Sequence, residues 1–185
     1  MQMREIAFIT GCVAITLFTI TWFGGPTSHY FEERIVLRQL GADFSYSGEH
    51  VSIARDLSLS DTNKLVQVVN SKGGASSLSV DAPAETDDIR AKELFRIDRL
   101  ESVVLFGTGV TDAAVISAKD LLAINDLDLT GTSVSDASIE VLIGMKSLRS
   151  IYLSNTLVTV EGINLLRKAR PDMAVCFIVS SKVEP

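Results

Sequence analysis

The chain carries only two cysteines, two histidines and one tryptophan among 185 residues, and each scarcity removes a class of function. Cys12 falls in an apolar N-terminal run and Cys176 stands alone beyond it, so no disulfide can staple a domain. His29 and His50 have no second histidine or cysteine at ligand spacing; both read as solvated surface, His50 in a turn, rather than as metal ligands. A glycine-rich phosphate loop, a nucleophile elbow and a metal-binding helix motif are all absent. Positive charge is scarce too, since 17 Lys and Arg against 23 Asp and Glu leave a formal net charge of −6. Arg4 and Glu5 cancel, so the whole excess lies after the apolar run, and an acidic surface argues against nucleic acid or anionic lipid as the principal partner.

What the chain does have is a repeat. Leu100, Val103, Leu105, Thr108, Val110 and Val115 recur as Ile124, Leu127, Leu129, Thr132, Val134 and Ile139, then as Leu148, Ile151, Leu153, Thr156, Val158 and Ile163, at a constant interval of 24 residues. Val175 and Phe177 continue it past Ile151 and Leu153. A fixed period of this length signals a solenoid, whose coils stack to share one core. Within a coil, the alternation of Val103 and Leu105 turns one face of a short strand inward and the intervening residue outward. Stacked coils then make a parallel sheet with one strand each. A threonine hydroxyl both donates and accepts, so the column Thr108, Thr132 and Thr156 is expected to link successive coils through their buried turns. Thr111, Ser135 and Thr159 follow as expected N-caps. They open convex segments whose apolar residues, Val115, Ala118 and Leu121, then Ile139, Leu142 and Met145, recur every three positions as in a short helix. Asp112 and Asp136 would pass for a catalytic pair but for their 24-residue separation, which makes them helix-start residues at one edge of successive coils.

The unit L-x-x-L-x-L-x-x-T-x-V resembles the leucine-rich-repeat family, which more often places Asn or Cys at the threonine. The continuations Thr108-Gly109-Val110-Thr111-Asp112 and Thr132-Ser133-Val134-Ser135-Asp136 resemble a threonine subtype common among bacterial members; the third unit departs from it with Val160 where Asp belongs. The resemblance covers residues 97–179 well and residues 54–96 loosely. It implies an α/β solenoid with a short parallel sheet on its concave face and short helices or loops on its convex face.

Upstream the interval loosens. Leu78 and Val80, and before them Leu57 and Leu59, have strand spacing. Between the pairs, Leu65, Val66, Val68 and Val69 suit a convex helix, ended by the turn cluster Asn70-Ser71-Lys72-Gly73-Gly74. Residues 81–88 contain Pro83 and no apolar stripe and read as a solvated convex loop; its acids Asp81, Glu85, Asp87 and Asp88 match no calcium-loop spacing. Phe44-Ser45-Tyr46 and Val51-Ser52-Ile53 flank Ser47-Gly48-Glu49 as a capping hairpin. At the other end, residues from Pro171 onward form a C-terminal cap, with a last strand at residues 175–179.

Residues 6–23 contain no charge. At about 1.5 Å each they approach the roughly 30 Å of a bilayer core, and Trp22 and Phe23 end the run where interfacial aromatics are expected. The segment reads as an uncleaved transmembrane signal anchor behind a tail of residues 1–5. A cleaved signal peptide, giving a secreted protein, is the competing reading, although Trp22-Phe23-Gly24-Gly25-Pro26 offers it no small-x-small site. Ile9-Thr10-Gly11-Cys12 resembles a bacterial lipobox, but most of the apolar run follows the cysteine. Arg34 and Arg38 after the span offset Arg4 before it, so basic residues do not orient the chain. The short leader places the repeat domain on the extracytoplasmic side of a single-pass membrane protein. Residues 24–53 hold a membrane-proximal helix at residues 30–40, with Phe31, Ile35 and Leu40 as contacts and Gly41 as its stop, and the N-terminal cap. The leucine-rich-repeat domain spans residues 54–179, a single domain with a sizeable core, and residues 180–185 are a tail.

The concave columns follow from the alternation. Ser58, Ser79, Val104, Asp128, Tyr152 and Cys176 lie between the buried pairs; Ser60, Asp81, Phe106, Thr130, Ser154 and Ile178 follow them; Asp56, Ser77, Ser102, Asp126, Ser150 and Ala174 precede them. With parallel strands about 4.8 Å apart, Phe106 and Tyr152, two coils apart, bracket Asp126, Asp128 and Thr130. Aromatic anchors beside acids suit a basic or amphipathic protein ligand. The candidate partner site is therefore Val104, Phe106, Asp126, Asp128, Thr130, Tyr152 and Ser154. These expectations describe a membrane-anchored repeat protein that mediates protein-protein interaction through its concave sheet and catalyses nothing, with no cofactor, metal or small-molecule substrate. The reading from a different class is a non-catalytic subunit of a membrane enzyme complex.

Overall fold

Each 24-residue unit becomes one coil because its strand, its turn and its helix start are separately specified. The computed structural model describes residues 35–36, 38–44, 50–53, 56–71, 78–119 and 123–178. Residues 6–23, the expected anchor, lie outside these, and among the described residues no helix is long and apolar enough to cross a membrane. Strands β1 (Ala42–Phe44) and β2 (His50–Ile53) form an antiparallel hairpin. From β2 a parallel run continues through β3 (Leu78–Asp81), β4 (Leu100–Val104), β5 (Asp126–Asp128), β6 (Ser150–Tyr152) and β7 (Ala174–Cys176), giving one seven-stranded sheet in chain order. The crossovers carry α1 (Leu59–Ser71), α2 (Asp88–Leu94), α3 (Asp112–Ser117), a 3-10 turn at Asp136–Ser138 that runs into α4 (Ile139–Gly144), and α5 (Val160–Ala169).

Val103, Leu105, Leu127, Leu129, Ile151 and Leu153 from the strands meet Val115, Ala118, Ile139, Leu142, Met145, Ile163 and Leu166 from the convex segments in one buried cluster. After β4, β5 and β6 the backbone turns through a left-handed residue: Gly107 at φ +66°, Gly131 at +73° and Asn155 at +55°. Glycine has no Cβ to clash in that region, and Asn is among the few side chains that tolerate it. The threonine that follows each turn donates its hydroxyl to its own coil. Thr108 Oγ1 bonds the Leu105 carbonyl at 2.8 Å, Thr132 the Leu129 carbonyl at 2.7 Å and Thr156 the Leu153 carbonyl at 2.7 Å. The expected link between coils through this column is therefore corrected: the turn brings the carbonyl three residues back within reach first. Thr86, also buried, takes the place of Val110 in the preceding coil: its carbonyl accepts Gly109 N–H as the Val110 carbonyl accepts Ser133 N–H.

Successive coils are joined instead by a carboxylate ladder. Asp88 accepts Thr111 N–H at 2.7 Å and Thr111 Oγ1 at 2.6 Å; Asp112 accepts Ser135 N–H at 2.9 Å and Ser135 Oγ at 2.6 Å; Asp136 accepts Thr159 N–H at 2.9 Å and Thr159 Oγ1 at 2.7 Å. Thr111, Ser135 and Thr159 are the N-caps expected, each accepting a backbone N–H of its own helix start. Asp112 also accepts from Ser138 Oγ. Partial burial alone would raise the Asp112 carboxyl, but the bonds from Ser135 Oγ, Ser138 Oγ and Ser135 N–H together hold it below the usual carboxylate value. Gly162 keeps the corresponding space open in the last coil, because a Cβ there would collide with the Asp136 carboxylate.

The N-terminal coils differ from expectation in register. Leu57 and Leu59 do not form a strand. Ser58 accepts Asp61 N–H at 3.1 Å and donates to the Asp61 carboxylate at 2.9 Å, and this reciprocal cap turns the chain into α1. The strand of that coil is β2, whose Val51 lies opposite Val80. Of the expected loop at residues 81–88, residues 82–87 lie in neither helix nor strand, and its two ends belong to β3 and α2. Asp81 ends β3, and Asp87 caps α2 by accepting Arg90 N–H while pairing with the Arg90 guanidinium at 2.7 Å. At the C-terminal end β7 stops at Cys176, and Arg170, buried, donates to the Met145 carbonyl at 2.8 Å and the Leu148 carbonyl at 2.7 Å. Gly41, with φ +74°, closes the helical turn before β1 as its spacing predicted.

Candidate binding surface

The outward residues of the sheet fall into two rows defined by strand pairing. One runs Ser52, Asp81, Val104, Asp128, Tyr152, Cys176, each opposite the next. The other runs His50, Ser79, Ser102, Asp126, Ser150, Ala174. From Ser102 onward these are the expected columns. Upstream they shift by two residues: Ser79 stands beside Ser102 and Asp81 beside Val104. Ser58 and Ser60 lie at the start of α1, Asp56 lies in the connection before it, and Ser77 is outside the described residues. A pairing irregularity between Leu78 and Ser79, together with the Ser58 cap, accounts for the slip. His50 is in a strand rather than a turn, and its Nε2 lies 3.1 Å from Asp81 Oδ2.

Phe106 is 60% exposed and Tyr152 43%, as the alternation requires. Val104, Asp126, Asp128 and Thr130 are half-buried on the same face. Asp128 Oδ1 accepts Thr130 N–H at 2.8 Å, and the Thr130 carbonyl accepts Gly107 N–H at 2.8 Å, so the turn that carries Phe106 is tied to the coil beside it. Ser154 differs from the other six expected contacts. It is buried, and its hydroxyl accepts Ile178 N–H at 3.0 Å, which makes it a holder of the chain after β7. Ile178 itself is 66% exposed at the end of the sheet.

No family model and no curated protein matches the sequence. Among solved structures, 26 chains match, among them one described as leiomodin-1 actin-binding site 2, at a TM-score of 0.51 and 13% identity over 68% of this chain and 82% of that one. The fold is leucine-rich-repeat-like. At this identity the likeness concerns architecture alone, and it agrees with the parallel sheet and stacked helices described above.

Reading residue types missed two parts of the surface and its support. His50 and Ser52 extend the rows to β2, and the signal for them was the alternation Val51-Ser52-Ile53, assigned to a cap; Asp81 was expected on the sheet but in the neighbouring row. The forward reach of Asp112 and Asp136 was visible only as periodicity, and Asp88 belongs to the same 24-residue series. Among the described residues no group of three or more His, Cys, Asp or Glu is arranged to hold a metal ion.

Proposed function

We propose that this is a membrane-anchored leucine-rich-repeat protein that binds another protein through its concave sheet and has no catalytic activity of its own. The observation that carries the reading is the exposure of Phe106 and Tyr152 on a face whose backbone is held by continuous strand pairing and tied turns. Large aromatics presented on a rigid support lose little freedom when a partner covers them, which is why such residues dominate interface energies. An actin-binding site in leiomodin-1 with a similar fold supports a protein as the partner. The uncharged run at residues 6–23 supports the anchor, with the repeat domain on the extracytoplasmic side.

Photo-crosslinking in native membranes tests the surface. A photoreactive residue at position 152 or 106 is expected to give an adduct of one discrete mass, whereas one at exposed Ile116 on the convex side gives none. Equal adducts from both faces, or none from the sheet, would move the site elsewhere. N-terminal sequencing tests the anchor: the mature protein is expected to retain residues 1–23, and a start near residue 26 would make it a secreted protein.

A further inference from the structure

We infer that the partner docks with a lysine or arginine side chain between Asp126 and Asp128, carried on a segment whose apolar residues cover Tyr152 and Phe106. This rests on the concave-face reading above and adds the chemistry of the occupant. From β2 to β7 the sheet rows and the turn positions beyond them contain three aspartates and, among the described residues, no lysine or arginine. Each acid has a different standing. Asp81 already faces His50 at 3.1 Å, and Asp128 has one oxygen engaged by Thr130 N–H. The Asp126 carboxylate has no hydrogen-bond partner among the described residues.

Asp126 and Asp128 flank buried Leu127 on one strand and so rise from the same face about 7 Å apart. Two like charges at that distance repel in the free protein, and a single cation between them relieves both. Serines flank Asp126 on the neighbouring strands, Ser102 on one side and Ser150 on the other, and their small side chains leave room for a long basic one to enter. Tyr152 stands opposite Asp128, where its ring can pack on an aliphatic stem or face a guanidinium. An acidic partner would be repelled by the same arrangement, and a wholly apolar one would strand the carboxylates out of water.

Fluorescence anisotropy on the full chain in nonionic detergent tests this with two labelled peptides of about ten residues, one alternating Lys with Val and one with Glu in place of Lys. The lysine peptide is expected to bind and to weaken as salt rises; the glutamate peptide is not expected to bind. Asp126→Asn/Asp128→Asn should weaken the lysine peptide about tenfold or more with an unchanged circular dichroism spectrum. Asp126→Ser, which copies the serines of the adjacent coils, is the second variant should the pair disturb folding, and it too should weaken binding. If the aspartate variants bind like wild type while Phe106→Ala/Tyr152→Ala binds less, the concave site stands and the basic occupant is wrong. If neither set changes binding, both readings fall. Concentration-dependent self-association abolished by the aspartate substitutions would make the occupant a second copy and overturn the inference.

Discussion

Asp112→Ala removes the one side chain that ties three groups of the following coil, and its effect can be worked from those bonds. The change leaves Ser135 N–H, Ser135 Oγ and fully buried Ser138 Oγ without their acceptor. A buried polar group stranded in this way costs about 1–3 kcal/mol. Ser135 and Asp112 are only half-buried, so water replaces part of the loss, and the expected total is about 2–4 kcal/mol. Asp112→Asn keeps an acceptor for Ser135 N–H but gives up the charge, for an expected loss of about 1–2 kcal/mol. The pH dependence has a definite sign. Because the folded carboxyl is held below its unfolded value, its contribution is fully present above the unfolded pKa of about 3.9 and fades as pH falls through the lower folded value. Guanidinium unfolding followed by circular dichroism should therefore show a wide gap between wild type and Asp112→Ala at neutral pH and a narrower one in acid. Equal stability at neutral pH, or a gap that persists undiminished in strong acid, would show that the carboxylate is not what joins the coils.

Thr132→Val keeps shape but deletes the hydroxyl that serves Leu129, and a loss of about 1–2 kcal/mol in thermal unfolding is expected. Gly131→Ala forces a side chain into φ +73° and sets its Cβ 3.4 Å from Gly107 Cα, so it should cost about 1–2 kcal/mol, whereas Asn155→Gly in the next coil should be neutral or slightly stabilising in the same assay. Arg170→Met retains the buried stem but leaves the Met145 and Leu148 carbonyls without their donor; a loss of about 3 kcal/mol is expected, with hydrogen exchange rising first around α4 and β6.

The C-terminal coils were legible because three independent columns recur in one register: the buried strand pairs, the threonine and the N-cap. A shift of one residue would have turned Leu127 and Leu129 out to solvent, so periodicity alone fixed which residues face the concave side. Direction was not legible. A threonine hydroxyl can serve its own coil or the next, and only the left-handed turn at Gly107, Gly131 and Asn155 decides for its own; the recurrence of Gly, Gly and Asn before Thr was the available signal. The N-terminal coils failed for a different reason. Val51 and Val80 are paired across 29 residues, because the 13-residue α1 lengthens that coil, and no constant interval can find the pair. Leu57 and Leu59 mimic a strand, yet the Ser58 and Asp61 cap competes locally and wins. Arg170 could not be placed from its type at all, since arginine is seldom buried unless it is paired.

The ladder also bears on the irregularity that sets the third unit apart. Each carboxylate belongs to one coil and serves the N-cap of the coil after it, so the aspartate of a unit is useful only where a further helix start follows. Asp88, Asp112 and Asp136 each have such a receiver in Thr111, Ser135 and Thr159. Val160 holds the fourth position of the series, and among the described residues β7 is followed by no helix. Val160 in place of Asp agrees, among the described residues, with the forward direction of the ladder. By the same reasoning the aspartate joints between coils lie at the helix starts, away from the sheet, so that, Ser154 apart, side chains on the concave rows are largely released from holding a stack whose strands pair through their backbones. Phe106, Asp126 and Tyr152 vary in type from coil to coil while Thr108, Thr132 and Thr156 do not, and that freedom is what lets a regular scaffold carry an irregular, selective surface.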